Sequence, residues 1–507
     1  MNATDQPAKA VPISLKADFT GFMTIIVGLS ILRLIILMVT PLNLGLDETQ
    51  YWYWAQTPSF GYYSKPPLIA WAIAATTTMF GNVEWATRLP ALLFHMGTAT
   101  FIFLTARHLY DERAGFWAGI TWILLPGVGL SSTLIATDAP MLFFFSAGLF
   151  LLLRRVPKGS LSGQSVSRAS TSRDKHASIQ EAALLGMVVG LGMMSKYAMV
   201  YFIIGLGLAY LLSPMIRRVW KPWHLAIMGV SAGIVMLPNI LWNAQNDFQT
   251  LSHTADNADW NGTFGHPVEL AAFIGGQFGV AGPIIFAMAI AAGLASVNTA
   301  KGRLLLAFIL PALIIVSIQA FLSRAHANWA AASYPAAIVL ISGWALTNTK
   351  ENWLKAGNGL NGAALLVFMV ALINPAIAHS IGLARPVSSL QGWDHHGEDV
   401  AKLAAQYDVV MSDDRDVIGG LLYYARRVDP TVIAWDSNNR IDHHYEAFFP
   451  FDPATHKRIL FVSESPEAAE VKGAFRQIIP LGTTRAKIEG GAPRELYLFS
   501  LEGFIRK

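Results

Sequence analysis

The 507-residue chain contains no cysteine. Disulfides, thiolate nucleophiles and cysteine-ligated zinc are thereby excluded. Charge is scarce as well. Only 14% of the residues are Asp, Glu, Lys or Arg, against about 25% in an average soluble domain. The net charge of +4 is spread too thinly to make a dense phosphate-neutralising patch, so no nucleic-acid partner is expected. The first twenty residues are polar and lack the apolar core of a secretory signal. The long apolar run after them has no small-residue cleavage site and reads as an uncleaved first span. No solenoid-type repeat is evident.

Apolar residues are what the chain has in quantity, at 53% of the total with a mean hydropathy of +0.42. They fall in runs near the roughly 20 residues that span a hydrocarbon core. A polytopic α-helical membrane protein is expected. Eleven apolar segments stand out, at about 20–41, 87–107, 114–130, 139–153, 182–194, 198–213, 223–242, 267–293, 304–322, 328–347 and 361–378. Lys and Arg concentrate on the cytoplasmic side of membrane proteins. With the N-terminus inside, seventeen Lys and Arg fall in cytoplasmic positions and four (Lys65, Arg88, Lys196, Arg324) in the short outer loops. Merging the two short segments within 182–213 breaks this alternation, so both are kept. The Ser-rich basic stretch at 156–181 reads as a cytoplasmic linker facing membrane lipid.

The pattern changes near residue 380. "YDVVMSDDRDVIGGLLYYARR", "TVIAWD", "RILFVSESPEAAEVKGAF" and "ELYLFSLEGF" alternate β-branched or aromatic runs with helical periodicity. Residues 380–507 are expected to form an α/β domain. After an odd number of spans it lies outside, following a membrane part at 1–379.

The same topology, drawn only from positive charge, gathers most unusual polar residues on the outer face. Asp47, Glu48, Tyr62, Tyr63 and Lys65 fall in the first outer loop, and Asp138 ("IATDAP") at the next turn. Lys196 and Tyr197 ("MMSKYAM") follow, and Arg324 and His326 ("SRAHANW") lie beyond the loop "HTADNADWNGTFGH". Charges near a bilayer are costly, and several on one face suggest a shared aqueous cavity. A carboxylate there can take a proton from a nucleophile. Lys, Arg and His can stabilise a departing phosphate, and aromatics can stack on a sugar or lie along lipid. Each residue has a plainer reading as an interfacial anchor or loop element. Asp47 suits an N-cap for a helix beginning near Glu48. "WYWAQ" reads as an interfacial anchor. "SDDRD" at 412–416 is either a ligand site or the cap of the following helix. His253 and His266 are too loosely spaced for a strong metal reading. Arg33, midway along the first span, should face the bundle interior and a polar partner.

Taken in order, "LDETQYWYWAQ", "GYYSKPPLIAW", "ATRLPALL", "ATDAP", "GLGMMSKYAM" and "HANWAAASYPA" resemble the landmarks of GT-C glycosyltransferases. The branch is that of protein O-mannosyltransferases, aminoarabinose–lipid A transferases and lipopolysaccharide galacturonosyltransferases. The resemblance implies a bacterial inner-membrane glycosyltransferase using a polyprenyl-phosphate-linked sugar donor. It implies an acceptor on the periplasmic face, a glycolipid or lipopolysaccharide in preference to a protein, and inversion at the anomeric carbon. It carries over Asp47 as the catalytic carboxylate, with Glu48 beside it, Lys65 near the donor phosphate, and Asp138 as a second acidic position. Tyr62, Tyr63, Lys196, Tyr197, Arg324 and His326 complete the expected substrate-binding set. Where the family often has an acidic residue before the KPP lysine, this chain has Ser64, so neither metal nor cofactor is expected. The rival reading is a flippase for lipid-linked sugar. It predicts ionisable residues near the midplane between repeated halves.

Overall fold

The computed structural model describes residues 17–157, 176–256, 265–382, 384–428, 431–438 and 440–505. Most of the Ser-rich linker, Lys9, Lys16 and Asp259 lie outside the described residues. The first half is helical: α1 (Phe19–Val39), α2 (Leu46–Gln56), α3 (Leu68–Phe80), α4 (Glu84–Leu109), α5 (Glu112–Leu124), α6 (Pro126–Ser131), α7 (Asp138–Leu153), α8 (Ile179–Ser195), α9 (Val200–Leu212) and α10 (Pro214–Val219). Helices α11 (Pro222–Gln245), α12 (Gln249–Asp256), α13 (Pro267–Ala281), α14 (Pro283–Ser296), α15 (Ala300–Leu322), α16 (Tyr334–Thr347), α17 (Glu351–Ile373), α18 (Pro375–Ser380) and α19 (Ala384–Ser388) follow.

This is a multi-pass membrane protein. Among the described residues six helical stretches are long and apolar enough to cross a membrane: α1, α4, α11, α15, Ala327–Thr347 and α17. A seventh is gained if α13 and α14, bent by 109° at their junction, count as one span. Apolar helices of 10–17 residues add Leu68–Phe80, Asp138–Leu153, Ile179–Ser195 and Tyr197–Leu212. The eleven apolar segments therefore lie on helices that are divided differently from the sequence reading. Segment 114–130 breaks at Pro126, segment 267–293 turns at Gly282, and α3 is an apolar helix inside the expected outer loop. The turn has a local cause. Gly282 adopts φ +82°, and a Cβ there would sit 1.9 Å from the Asn361 side chain, which donates to the Ala281 carbonyl at 2.9 Å.

Packing in the bundle follows side-chain size. In α1, Phe22, Ile26, Arg33, Ile36 and Leu37 turn inward while Ile31, Leu32, Ile35 and Met38 stay exposed. Arg33 does face the interior. Its guanidinium donates to the Ile123 carbonyl at 2.7 Å. Gly186 and Gly190 form a small-xxx-small stripe on α8 against α11, with Met228 O only 2.3 Å from where a Gly186 Cβ would stand. Such stripes let two backbones approach.

The tail is a mixed five-stranded sheet of order β2-β1-β3-β5-β4. Its strands are β1 (Val409–Ser412), β2 (Val432–Ala434), β3 (Arg458–Ser463), β4 (Phe475–Ala486) and β5 (Arg494–Phe504). β1 runs parallel to β2 and β3, and β5 antiparallel to β3 and β4. Side chains alternate across it. Val410, Leu460, Val462, Leu496 and Leu498 pack under α20 (Trp393–Ala404) and α21 (Arg415–Tyr424), while Val409, Met411, Ile459, Phe461 and Leu501 fill the other face. A short helix, α22 (His444–Phe448), closes the rim.

At the end of β1, Asp414 caps α21 by accepting from the Asp416 and Val417 amides at 2.7 and 2.9 Å. This is the capping role read from "SDDRD". Burial, then neighbouring carboxylates, pushes Asp413 and Asp416 up to about 6. A raised carboxyl contributes stability that is present below its unfolded value of 3.8 and lost as the pH rises through about 6.

Two predictions follow from this packing. Gly186→Leu forces α8 off α11 and lowers the unfolding free energy in detergent by about 1–3 kcal/mol, measurable by thermal unfolding. Asp413→Asn stabilises the tail at pH 7 and flattens its loss of stability between pH 4 and 7. Hydrogen exchange at 409–412 reads this out, and an unchanged pH profile contradicts it.

Candidate active site

The segment between α1 and α4 is built around a carboxylate pair pointing in opposite directions. Glu48 is buried. Its Oε1 accepts from Arg88 Nε at 2.9 Å and the Ile135 amide at 3.0 Å. Its Oε2 accepts from Arg88 Nη2 at 2.8 Å and the Gly45 amide at 2.9 Å. A carboxylate has about four acceptor positions, and all are filled. Arg88 is equally engaged, donating also to the Leu42 and Asn43 carbonyls. Glu48, expected in the catalytic set, therefore stands in the structure as a bracket joining α2, α4 and the turn before α7. The helix cap also differs from expectation. Gly45 is the N-cap, Glu48 reaches back to it, and Asp47 lies within the first turn.

Asp47 is turned the other way, with its side chain 58% exposed. Its Oδ1 accepts from Arg415 Nη2 at 2.9 Å, across 368 residues of sequence. Gln50, one helical turn along, accepts from Arg415 Nε at 2.9 Å and Nη2 at 2.7 Å. Gln50 Nε2 in turn lies 3.5 Å from Ser64 Oγ, next to Lys65. The charges acting on the Lys65 ammonium are those of Asp47, Lys196, Arg415 and Asp138. Burial holds this lysine below the usual range, and the two carboxylates oppose that effect. Lys196 pairs with Asp138 at 2.8 Å, and Asn328 Nδ2 approaches the other Asp138 oxygen at 3.3 Å. Asp47, Asp138 and Lys196 thus lie near enough for their charges to act on Lys65. The Tyr51 hydroxyl lies against Asp47, and burial foremost, with that carboxylate, raises it well above the ordinary phenol range.

The remaining expected residues support this cluster or stand beside it. Tyr62 is buried, stacks on Trp54 with ring centroids 4.6 Å apart, and donates to the Trp54 carbonyl at 3.0 Å. Tyr63 donates to the Ile441 carbonyl of the tail at 3.2 Å. Tyr197 donates to Asn239 Oδ1 at 2.9 Å, and Asn239 donates to the Phe60 carbonyl at 2.8 Å, tying α11 to the first loop. Arg324 and His326 are exposed in the turn after α15, and it is Asn328 that this turn sends to Asp138. Tyr51, Trp52 and Trp54, expected as interfacial anchors, are buried within protein. Trp52 packs edge-on against Tyr423 of α21 at 4.7 Å. Among the described residues no three His, Asp or Glu converge as a metal ligand set.

Gln50 and Asn328 were not named from the sequence, and Arg415 lies in "SDDRD", which was read there only as a stretch that is either a ligand site or a cap. The tail seats on the first loop through contacts that hold Arg415 in place. Tyr424 accepts from the Leu44 amide at 2.7 Å, Asn43 accepts from the Trp393 amide at 2.9 Å, and Gly419 packs against Thr49. His443 and His444 stand nearby, lowered to about 4 and about 3 by burial first and by Arg415. Both are neutral at neutral pH, and Lys196 and Arg415 are the cations that act on Lys65.

A family model described as dolichyl-phosphate-mannose-protein mannosyltransferase matches residues 64–242. The lipid A galacturonosyltransferase RgtD of Rhizobium johnstonii is 31% identical over 451 residues, covering 87% of this chain and 90% of its own. The chain is a GT-C glycosyltransferase. A lipopolysaccharide core galacturonosyltransferase of the same organism, RgtA, is 24% identical over 42% of this glycosyltransferase and 39% of its own length. Among solved structures, ArnT from Cupriavidus metallidurans bound to undecaprenyl phosphate shares the fold. Its TM-score is 0.64 at 15% identity, with 95% of this chain and 98% of that chain covered.

The two carboxylates of this glycosyltransferase separate under mutation. Glu48→Gln strands a buried guanidinium and costs about 3–5 kcal/mol in an unfolding experiment. Asp47→Asn removes a half-exposed pair and costs about 0–1 kcal/mol. Equal losses of stability contradict the assignment of Glu48 as the bracket.

Proposed function

We propose that this glycosyltransferase moves a sugar from a polyprenyl-phosphate donor to a lipid A or lipopolysaccharide acceptor at the periplasmic face of the bacterial inner membrane. The observation that carries this reading is the convergence of Asp47 with Lys65, Lys196 and Asp138 where the tail meets the helical bundle. The relative's name, a lipid A galacturonosyltransferase matched over nearly its full length, supports both the acceptor class and a uronic acid as the sugar. The eleven-span topology, with site and tail outside, belongs to the same proposal and rests on the Lys/Arg distribution.

In the proposed reaction the acceptor hydroxyl attacks the anomeric carbon from the face opposite the phosphate. The new C–O bond forms as the bond to phosphate oxygen breaks, and the electron pair leaves with the phosphate. Asp47 takes the hydroxyl proton. A phosphodiester with one negative charge becomes a monoester that gains a second, and Lys65 and Lys196 stabilise the charge as it develops. Burial makes Lys65 suited to this, because a partly desolvated ammonium gains most from an anionic partner. Tyr62 and Tyr197 hold the loop that presents Lys65, and Glu48 fixes the helix that presents Asp47.

Purified protein, given lipid-phosphate sugar and glycolipid in detergent, should turn over without a sealed membrane. Asp47→Asn should lower kcat by about 10³-fold with donor binding retained, and Lys65→Met should weaken donor binding. A wild-type rate in Asp47→Asn removes Asp47 as the base.

A further inference from the structure

Lys65, Lys196 and Arg415 are not equivalent. Lys196 is committed to Asp138 at 2.8 Å. Lys65 is a point charge on a flexible stem. Arg415 is a planar guanidinium fixed at both ends. Its Nε and one proton of Nη2 are held by Gln50 Oε1 at 2.9 and 2.7 Å. The other Nη2 proton reaches Asp47 at 2.9 Å. Gln50 therefore occupies the Nε–Nη2 edge, and the Nη1–Nη2 edge is turned to Asp47. That edge offers two parallel N–H donors, the geometry that matches a carboxylate bidentately. Asp47 uses one of them.

We infer that Arg415 recognises a carboxylate on the transferred sugar, which displaces Asp47 from the guanidinium and frees it to act as base. The inference rests on the uronosyl transfer proposed above. In a hexuronate the carboxyl group is carried on C5, which is joined to the anomeric carbon through the ring oxygen alone. A cation 2.9 Å from the group that deprotonates the nucleophile is therefore within reach of that carboxyl when the anomeric carbon is in place for attack. The guanidinium keeps one carboxylate partner throughout, and the site as a whole gains the one negative charge that the sugar brings. The exchange also couples recognition to chemistry. A neutral hexose brings no second carboxylate, and Asp47 stays engaged by Arg415.

The test compares polyprenyl-phosphate galacturonate with polyprenyl-phosphate galactose as donors to one glycolipid acceptor, reading kcat and KM. Wild type should favour the uronate in kcat/KM by about 10²-fold. Arg415→Met should bring that ratio close to one, and Arg415→Lys should keep part of it. Gln50→Leu leaves the guanidinium present but unheld, and should lower the ratio about tenfold. It serves as the second variant if Arg415→Met fails to fold, with thermal unfolding as the check. Equal losses on both donors would assign Arg415 to something the donors share and overturn the inference, as would a wild-type preference for galactose. A wild-type protein that transfers neither sugar removes the reading beneath it, and the inference with it.

Discussion

The buried ion pair between Glu48 and Arg88 is the constraint on which the site depends. Successive residues of an α-helix point about 100° apart. Once Glu48 is locked inward by four hydrogen bonds, Asp47 has to face outward. The same lock sets the entry of α2 at Gly45 and holds the turn at Ile135, three residues before Asp138. One bracket therefore aims the first acidic residue and places the second. Replacing it with apolar residues would fill the space but lose the directional hold on both.

The tail is part of this construction. α21 lies along α2 with Gly419 against Thr49, a contact where a Cβ would come within 2.5 Å of the threonine oxygen. Close approach at that point brings the first turn of α21 level with Asp47 and Gln50. Arg415 is the first residue of that helix. Its position is thus set twice, by the Asp414 cap from inside the tail and by Gln50 from the helical part. A cation fixed from both sides loses less conformational freedom on meeting a ligand than one at the end of a free side chain.

Much of this was legible in the sequence because it is written locally. The adjacent acids, the Tyr-Tyr-x-Lys-Pro-Pro run, the Thr-Asp and Ser-Lys pairs and the apolar segments are short-range patterns. So were the strand runs "VVM", "TVIAW" and "RILFVS", which lie on β1, β2 and β3. The division of labour within Asp47-Glu48 was not legible, since either residue of the pair can turn inward and the choice is made by Arg88, 40 residues away. Arg415 was hidden for the same reason at greater range. "SDDRD" announces a cap, and nothing within it says that the arginine lies over another part of the chain. The aromatics of α2 looked like membrane anchors because composition does not distinguish a bilayer interface from an apolar seat for a neighbouring domain. The division of the spans was obscured at Gly282 and Pro126, where a continuous apolar run conceals a change of direction.

Two ion pairs in one short helix have opposite characters, and exposure decides which is which. Glu48 and Arg88 have side chains 5% and 1% exposed, so parting them would leave two charges stranded away from water. Asp47 and Arg415 are 58% and 29% exposed. For a pair so open to solvent, attraction and hydration nearly cancel, with a net of about 0–1 kcal/mol. In the proposed reaction an incoming anion exchanges with Asp47 at little cost, while the buried bridge between Glu48 and Arg88 stays closed. Under the proposed mechanism the carboxylate that takes up and releases a proton is the one in the exchangeable pair. The one that must never move belongs in the buried pair, and the sequence places them side by side so that fixing the second orients the first.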